Sequence, residues 1–298
     1  HLPVGIKWCC FMLKKKRKFF YLFVLPGFLG IVVFVLLPFW DVVRRSFTTA
    51  VTGQFNGIQN YRTVFENQAF LLAVKNTLNF TLVCIPLLVF SGFVAALLLN
   101  TLQNKRWIKS IYLFPLAMPT ATIVLVWKMF FYRQGFLNLL LTRIGQQTGL
   151  WEQVCLDYLG TPAAFWVLVG SYIWKNMGYT VVLWLAGLMG IPKGLLEAAR
   201  VDGAGKWKSL WYIVLPNLKG SLYTIVILSF LNSFKIYREA YLTAGAYPDQ
   251  SIYLMQHLFN NWFVNLELDK MAAAAVLTGG VLLAAILGLQ RLWDHNEM

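Results

Sequence analysis

The stretch EAARVDGAGKWKSLWYIVLP, residues 197–216, is polar and contains two glycines, yet it lies between two long apolar runs. Pro192, just before it, suits the first turn of a helix, where a backbone N–H is not needed. Gly203 and Gly205 end this first helix, and a second helix runs to Pro216. The apolar positions that share a face by helical spacing are Leu195, Leu196 and Ala199 in the first helix and Trp207, Leu210, Trp211 and Val214 in the second. The pattern therefore predicts a helix–turn–helix hairpin.

The composition around this hairpin is that of a polytopic membrane protein. Hydrophobic residues make up 58% of the 298 residues and charged residues only 13%, about half of the roughly 25% typical of soluble domains. The net charge of +14 does not indicate nucleic-acid binding, because the basic residues flank apolar runs instead of covering one face of a soluble fold. Periodicity alone favours a hairpin that lies at the membrane surface and anchors its loop.

Six apolar stretches are long enough to cross a bilayer, which takes about 20 residues in a helix. They are approximately residues 19–40, 76–100, 108–131, 163–187, 221–244 and 271–293. The first follows a basic segment, as in a signal peptide. Its apolar run exceeds the usual length of about 7–15 residues and no cleavage site of the A-x-A type follows, so we interpret it as a retained span.

The distribution of basic residues predicts the orientation. With the N-terminus in the cytoplasm, 15 of the 26 Lys and Arg residues lie on the cytoplasmic side, seven lie in the opposite loops and four lie within spans. Because Lys and Arg accumulate in cytoplasmic loops, we expect both termini and the hairpin to be cytoplasmic. The predicted organisation is a basic tail over residues 1–18 and one all-α membrane domain over residues 19–298.

The order of residues in the hairpin closely resembles the cytoplasmic loop of type I ABC importer permeases, of the carbohydrate-uptake branch. That loop reads Glu-Ala-Ala, then Asp-Gly-Ala, then Ile-x-Leu-Pro, and its counterparts here are Glu197, Ala198, Ala199, Asp202, Gly203, Ala204, Ile213, Leu215 and Pro216. The similarity continues upstream through LWLAGLMGIPKGLLEAA and downstream through SFKIYREAYLTAG. One departure is Gly220, where many members carry a further proline.

The resemblance implies the MetI-like permease fold and an importer of several subunits. The hairpin, residues 192–216, would be the coupling loop that docks into a separate ATPase, with Glu197 pairing to a basic residue there. The expected partners are a second homologous permease, two ATP-binding cassette ATPases and an extracytoplasmic solute-binding protein. The residues expected to contact the ATPase are Glu197, Ala198, Ala199, Asp202, Gly203, Ala204, Leu215 and Pro216.

Nothing in the sequence indicates a nucleotide, metal or catalytic site in this chain. The phosphate-loop pattern G-x-x-x-x-G-K-[ST] fails at Arg200 and Trp207. The histidines His1, His257 and His295 are scattered, and the four cysteines contain no C-x-x-C pair. We therefore expect no cofactor here, with ATP and Mg²⁺ bound by the partner ATPases.

Three charges fall within the fifth predicted span, namely Lys235, Arg238 and Glu239. A charge at the bilayer centre costs about 2.5–3.5 kcal/mol on the insertion scale, so these side chains must face protein or water. One interpretation is a structural Lys235–Glu239 pair within the helix. The other is a polar stripe that lines a transport pathway.

The resemblance places substrate contacts on the third, fourth and fifth spans. These are Leu116, Thr120, Asn176, Tyr179, Asn232, Lys235 and Tyr237. Amides, hydroxyls and aromatic rings suit a neutral sugar, whereas Lys235 replaces an expected amide and favours an acidic substrate. Hydrogen bonding between helices is the alternative for each of these residues.

The sequence thus predicts a permease subunit of an ATP-driven, binding-protein-dependent sugar importer in a bacterial plasma membrane. An ion- or proton-coupled secondary transporter would account for the charges within the spans, but not for the Glu-Ala-Ala loop. A membrane-embedded enzyme would need a catalytic cluster that the sequence does not contain.

Overall fold

The computed structural model describes residues 22–101 and 106–295. The predicted basic tail, with Cys9 and Cys10, lies outside these residues. So does Lys105, in the predicted loop before the third span. The described residues are helical and contain no β-strand apart from an isolated bridge between Thr48 and Phe55. The predicted all-α class is confirmed.

The helices follow one another along the chain, with longer connections over residues 47–58 and 149–163. In chain order they are α1 (Leu22–Ser46), α2 (Gln59–Glu66), α3 (Gln68–Thr101), α4 (Arg106–Ala117), α5 (Thr120–Phe131), α6 (Phe136–Thr148), α7 (Ala164–Gly190), α8 (Lys193–Val201), α9 (Lys206–Asn217), α10 (Lys219–Ala244), α11 (Met255–Val264) and α12 (Leu268–His295). A 3₁₀ turn, Phe234–Ile236, interrupts α10.

Three helices, α1, α3 and α12, are each long and apolar enough to cross a membrane. Three further pairs reach this length only when joined across a sharp bend: 108° between Ile111–Ala117 and Thr120–Thr148, 65° between α7 and α8, and 63° between α9 and α10. Counting each bent pair as one span gives up to six spans in the described residues.

The third predicted span, residues 108–131, is not one continuous helix. It is divided between α4 and α5, with Pro115 in the last turn of α4 and Pro119 at the N-cap of α5. Proline lacks the backbone N–H and its ring clashes with the preceding turn, so two prolines four residues apart break the helix. The apolar composition that predicted a single span does not register this break.

Two helices extend beyond the predicted spans. Helix α1 continues from the predicted end at residue 40 to Ser46, and Arg45 donates to Asp41 at 2.6 Å within that last segment. Helix α3 begins at Gln68 instead of residue 76 and is 34 residues long, or about 51 Å at 1.5 Å per residue. The added residues of α3, 68–75, are mostly apolar, and Asn67 Oδ1 accepts from the backbone N–H of Phe70 at 3.1 Å at the start of the helix.

Contacts between Cα atoms divide the described residues into two compact units. The first contains the chain up to Glu66 together with Trp262–Ala284. In it, the Asn60 side chain donates to the carbonyl of Ser46 at 3.0 Å and to that of Thr48 at 2.9 Å. These bonds tie α2 to the segment after α1.

The second unit contains Asn67–Asn261 and the residues from Ala285 onwards. Its core lies mainly between α3 and α7. Phe80 and the fully buried Tyr172 contact edge to face, with ring centroids 5.5 Å apart, and Trp184 Nε1 donates to the carbonyl of Val89 at 3.2 Å. At Gly92 on α3, an added Cβ would collide with the side chain of Thr180.

Helix α7 also lies against α4 at a glycine. A Cβ added to Gly178 would overlap the carbonyl oxygen of Tyr112 and lie 3.2 Å from the Cα of Leu113. Both obstacles are backbone atoms, which cannot rotate away as a side chain can. The absence of a Cβ at residue 178 therefore sets the distance between α4 and α7.

We expect Gly178→Ala to lower the thermal stability of the purified protein, because overpacking of this kind costs about 1–3 kcal/mol. Gly170→Ala is the matched control: Gly170 lies in the same helix, and no atom lies within 4 Å of the position that a Cβ would occupy there. Thermal melting followed by size-exclusion chromatography distinguishes the two variants. Equal melting of both would show that the close approach of α4 and α7 does not constrain the fold.

Candidate functional site

The predicted hairpin is formed by α8 and α9. Pro192 occupies the N-cap of α8 instead of its first turn, and its carbonyl accepts a hydrogen bond from the backbone N–H of Leu195 at 3.1 Å. Proline serves this position because it already has the required φ, −59°. The hairpin thus begins two residues after α7 ends at Gly190.

The turn between the two helices explains the Ala-Ala and Asp-Gly-Ala parts of the motif. Gly203 has a φ of 78°, the left-handed conformation that glycine adopts without a steric penalty. Its N–H donates to the carbonyl of Arg200 at 3.1 Å, and the N–H of Ala204 donates to the carbonyl of Ala199 at 2.8 Å. This pair of bonds is a Schellman motif, which closes α8 and turns the chain towards α9.

We expect Gly203→Ala to loosen this turn, since an L-residue in the left-handed region costs about 1–2 kcal/mol. Gly205→Ala is the control, because Gly205 has a φ of −68° and open space around it. Hydrogen exchange of the amides over residues 197–210 should accelerate about tenfold in the first variant and remain near wild type in the second. Equal exchange in both variants would contradict a structural need for glycine at residue 203.

The second helix of the hairpin contains a π-helical turn, Leu210–Val214, which only Leu215 separates from Pro216. In this turn the N–H of Leu215 donates to the carbonyl of Leu210, five residues earlier. Pro216 has no N–H to give to Tyr212 and its ring would crowd that carbonyl. The wider turn accommodates the proline, so α9 continues past Pro216 to Asn217 and does not end at the proline.

The hairpin has one inner and one outer face. Leu196 and Val214 pack against buried residues of the larger unit, and Ala199 is buried. Glu197 and Ala198 are exposed, and Glu197 has no salt-bridge partner among the residues that the structure describes. The large side chains on the outer face are also exposed: Val201 by 88%, Trp207 by 74%, Trp211 by 63% and Tyr212 by 80%. Exposed apolar side chains of this size, grouped on one face, are characteristic of a surface that contacts another molecule.

A polar cluster lies within the spans, between α5, α7 and α10. Its centre is an ion pair between Lys175 on α7 and Glu239 on α10. Glu239 is only 2% exposed, and the Lys175 ammonium also donates to the hydroxyl of Thr120 at 3.3 Å. The pair therefore connects three helices.

This ion pair shows that one of the two interpretations of the charges, a pair between Lys235 and Glu239, is wrong. The ammonium of Lys235 donates instead to Asn232 Oδ1 at 3.2 Å, and its side chain is exposed. The 3₁₀ turn Phe234–Ile236 rotates the chain by about 120° per residue, more than the roughly 100° of an α-helix. This extra rotation separates two side chains that a regular helix would bring together.

The cluster contains a second set of hydrogen bonds, made by amides and hydroxyls of α7 and α10. The Asn232 amide donates to Asn176 Oδ1 at 3.4 Å, and the amide of Asn176 donates to the carbonyl of Tyr172 at 2.8 Å. The Tyr179 hydroxyl lies 2.9 Å from that of Ser229. Four of the seven predicted substrate contacts thus lie in one set of hydrogen bonds, connected through Tyr172 and Ser229: Asn176, Tyr179, Asn232 and Lys235. Thr120 belongs instead to the set around the Lys175–Glu239 pair.

The other two predicted contacts lie apart from these hydrogen bonds. Leu116, near the end of α4, is 47% exposed. Tyr237 packs edge to face on the ring of His257, with centroids 4.9 Å apart. His257 lies on α11, outside the spans, and burial lowers its pKa to about 4, so its imidazole is neutral at neutral pH.

Lys175 and Ser229 also belong to the cluster, although neither was among the predicted site residues. A charged residue in the middle of an apolar run indicates a partner on a neighbouring helix, and this signal was available for Lys175. Ser229 offered none, because a serine on a spanning helix usually bonds its own preceding turn. Within the described residues, no group of three or more His, Cys, Asp or Glu side chains is arranged to hold a metal ion.

Comparison with known proteins identifies relatives over almost the whole chain. The trehalose/maltose transport system permease protein MalF of Thermococcus litoralis is 30% identical over 271 residues, covering 89% of this chain and 90% of the relative. The sulfoquinovosyl glycerol transport system permease protein SmoG of Agrobacterium fabrum is 30% identical over 264 residues, covering 86% and 84%.

The fold is shared with a solved structure. A chain of a bacterial ABC transporter involved in the import of the acidic polysaccharide alginate superimposes with a TM-score of 0.81 at 20% identity, covering 96% of this chain and 98% of that one. The sequence profile of the binding-protein-dependent transport system inner membrane components matches residues 88–296, which include the hairpin and the polar cluster. The chain therefore belongs to the family of binding-protein-dependent transport system inner membrane components.

Proposed function

We propose that this chain is one permease subunit of an ATP-driven importer that carries a sugar or oligosaccharide across the plasma membrane. Family membership supports the transport role, and the names of both relatives contain a sugar-based solute. The solute would arrive on an extracytoplasmic binding protein. A second permease would complete the pathway, and two ATPases would bind ATP and Mg²⁺ on the cytoplasmic side.

The main support for this proposal is that the hairpin connects α7 directly to α10. Helix α7 ends at Gly190 and α8 begins at Lys193, while only Leu218 separates α9 from α10. The hairpin thus joins the two helices that hold most of the polar cluster. With connections of one and two residues, a displacement of the hairpin must shift the ends of α7 and α10.

The proposed mechanism follows from this connectivity. ATPase subunits that grip Glu197 and the small residues Ala198 and Gly203 would pull on α8 and α9 as they close around ATP. The movement would change the position of α7 relative to α10 at the hydrogen bond between Asn176 and Asn232. A solute hydrogen-bonded there would then be exposed to one side of the membrane or the other in turn.

The solute-binding role of the cluster rests on its chemistry. Amide and hydroxyl groups both donate and accept hydrogen bonds, which suits the many hydroxyls of a saccharide, and aromatic rings such as Tyr179 and Tyr237 suit the apolar face of a sugar ring. We assign substrate contact to Thr120, Asn176, Tyr179, Asn232 and Lys235, with Leu116 and Tyr237 at the margin. The coupling residues are Glu197, Ala198, Ala199, Asp202, Gly203, Ala204, Leu215 and Pro216.

The test is uptake by the complex in proteoliposomes, using the labelled saccharide that its co-purified binding protein binds most tightly. We expect uptake only when ATP is present on the side of the ATPases, and none with a non-hydrolysable analogue. A proton gradient alone should have no effect. Uptake that persists without nucleotide would favour an ion- or proton-coupled transporter and overturn the proposal.

A further inference from the structure

We infer that the solute carried past the polar cluster bears an anionic oxygen group, such as a carboxylate, phosphate or sulfonate, and that Lys235 binds this group. The inference rests on the proposed role of the chain in saccharide transport and narrows its substrate to acidic saccharides. Three observations support it: the charge balance of the cluster, the position of Lys235 in α10, and the hydrogen bonds that the Lys235 ammonium already makes.

The charge balance of this part of α10 leaves two cations without an anionic partner. Glu239 is the carboxylate of the cluster, and it is paired with Lys175. Lys235 and its neighbour Arg238 have no salt-bridge partner within residues 22–101 and 106–295. Unpaired cations within spanning helices are costly, and they are retained mainly where they face a water-filled pathway or a ligand.

The backbone at residue 235 places this cation on an accessible surface. Lys235 lies in the 3₁₀ turn Phe234–Ile236 that interrupts α10, and its side chain is exposed whereas Glu239, one turn further on, is buried. Breaks in spanning helices recur where transporters bind their solutes, near the middle of the membrane. A regular helix would have allowed Lys235 to approach Glu239, and the break prevents it.

The hydrogen bonds of Lys235 leave room for a ligand. An ammonium group has three N–H donors, and the structure shows one of them on Asn232 Oδ1 at 3.2 Å. Asn232 is in turn bonded to Asn176, so the ammonium is held beside the amides proposed to bind hydroxyls. A saccharide could therefore place its hydroxyls on the amides and its anionic oxygens on the two remaining donors.

The experiment offers a mixed pool of neutral and acidic saccharides to the purified complex in nanodiscs, without its binding protein. The pool contains partial hydrolysates of starch and of pectin, with trehalose and trehalose 6-phosphate as a second matched pair. Bound saccharides are released and quantified by mass spectrometry. We expect acidic members to be enriched about tenfold over neutral ones at low salt, as for a charge-assisted hydrogen bond, and less so at high salt.

Two variants and a control test whether Lys235 causes the enrichment of acidic saccharides. Lys235→Gln should abolish the enrichment while neutral saccharides bind as before, and Lys235→Arg should preserve it. Lys128→Gln removes a cation from α5 instead and should leave the enrichment unchanged. Uronates and the sugar phosphate are scored separately, which identifies the anionic group.

Several results would overturn the inference. They are preference for neutral saccharides, equal retention of both classes, or an enrichment that Lys235→Gln leaves intact. Loss of the second permease from the Lys235→Gln complex would also overturn it, by showing that a carboxylate of that subunit pairs with Lys235. In each case ATP-dependent uptake of a neutral saccharide would leave the proposed function standing, whereas the absence of ATP-dependent uptake of any saccharide would reject both.

Discussion

Glu197→Lys is expected to reduce ATP-driven uptake about 100-fold, because like charges facing each other across an interface cost several kcal/mol. The carboxylate is exposed in the first helix of the hairpin and has no salt-bridge partner in the described part of the chain. A basic partner on the ATPase would be repelled by the new lysine. The protein itself should fold normally, since an exposed substitution changes stability by only about 0.5 kcal/mol.

The measurement compares uptake with ATP hydrolysis in the same proteoliposomes. In the Glu197→Lys complex, hydrolysis should no longer respond to the solute-loaded binding protein, or the ATPases should be lost during purification. Glu152→Lys is the matched control, since it reverses an exposed carboxylate in the segment between α6 and α7. Wild-type uptake by the Glu197→Lys complex would be incompatible with a coupling role for the hairpin.

Glu239→Gln should destabilise the permease by about 3–5 kcal/mol, the usual cost of removing one member of a buried ion pair. The substitution keeps the shape of the side chain but leaves the charge of the Lys175 ammonium without a counter-charge, bonded only to neutral groups such as the hydroxyl of Thr120. Because the pair joins α7 to α10, α10 should lose its fixed position against α7. Denaturant titration in detergent, followed by Trp fluorescence, measures the change.

Two controls separate loss of the pair from loss of a charge. Glu66→Gln removes a carboxylate from an exposed pair with Arg62 at 2.9 Å, where the expected cost is below about 1 kcal/mol. The double variant Lys175→Met, Glu239→Gln removes both charges and should recover most of the stability. The structural role of the buried pair would be refuted by a Glu239→Gln variant that unfolds like Glu66→Gln.

The hairpin was predictable because its determinants are local. Gly203 must adopt a positive φ, and the bonds that close α8 lie within five residues of one another. The family resemblance rests on the same short segment. The class of the fold was equally accessible, since apolar runs of spanning length do not depend on which helices lie side by side.

The breaks and pairings were less predictable because they depend on neighbouring helices. Apolar composition gave no sign of the separation of α4 from α5, although Pro115 and Pro119 marked its position. The pairing of Glu239 with Lys175 links residues 64 positions apart. The local candidate, Lys235, was closer in sequence and carried the same charge, so sequence alone could not identify Lys175 as the partner.

The most direct test is the contact between the hairpin and a nucleotide-binding polypeptide. A photo-activatable amino acid introduced at Ala198, next to Glu197, is illuminated in intact cells, and the cross-linked products are identified by mass spectrometry. We expect a cross-link to a cytoplasmic ATP-binding cassette subunit that strengthens or weakens with bound nucleotide. Cross-links only to lipid, or to proteins on the outer side of the membrane, would contradict a coupling role for residues 192–216.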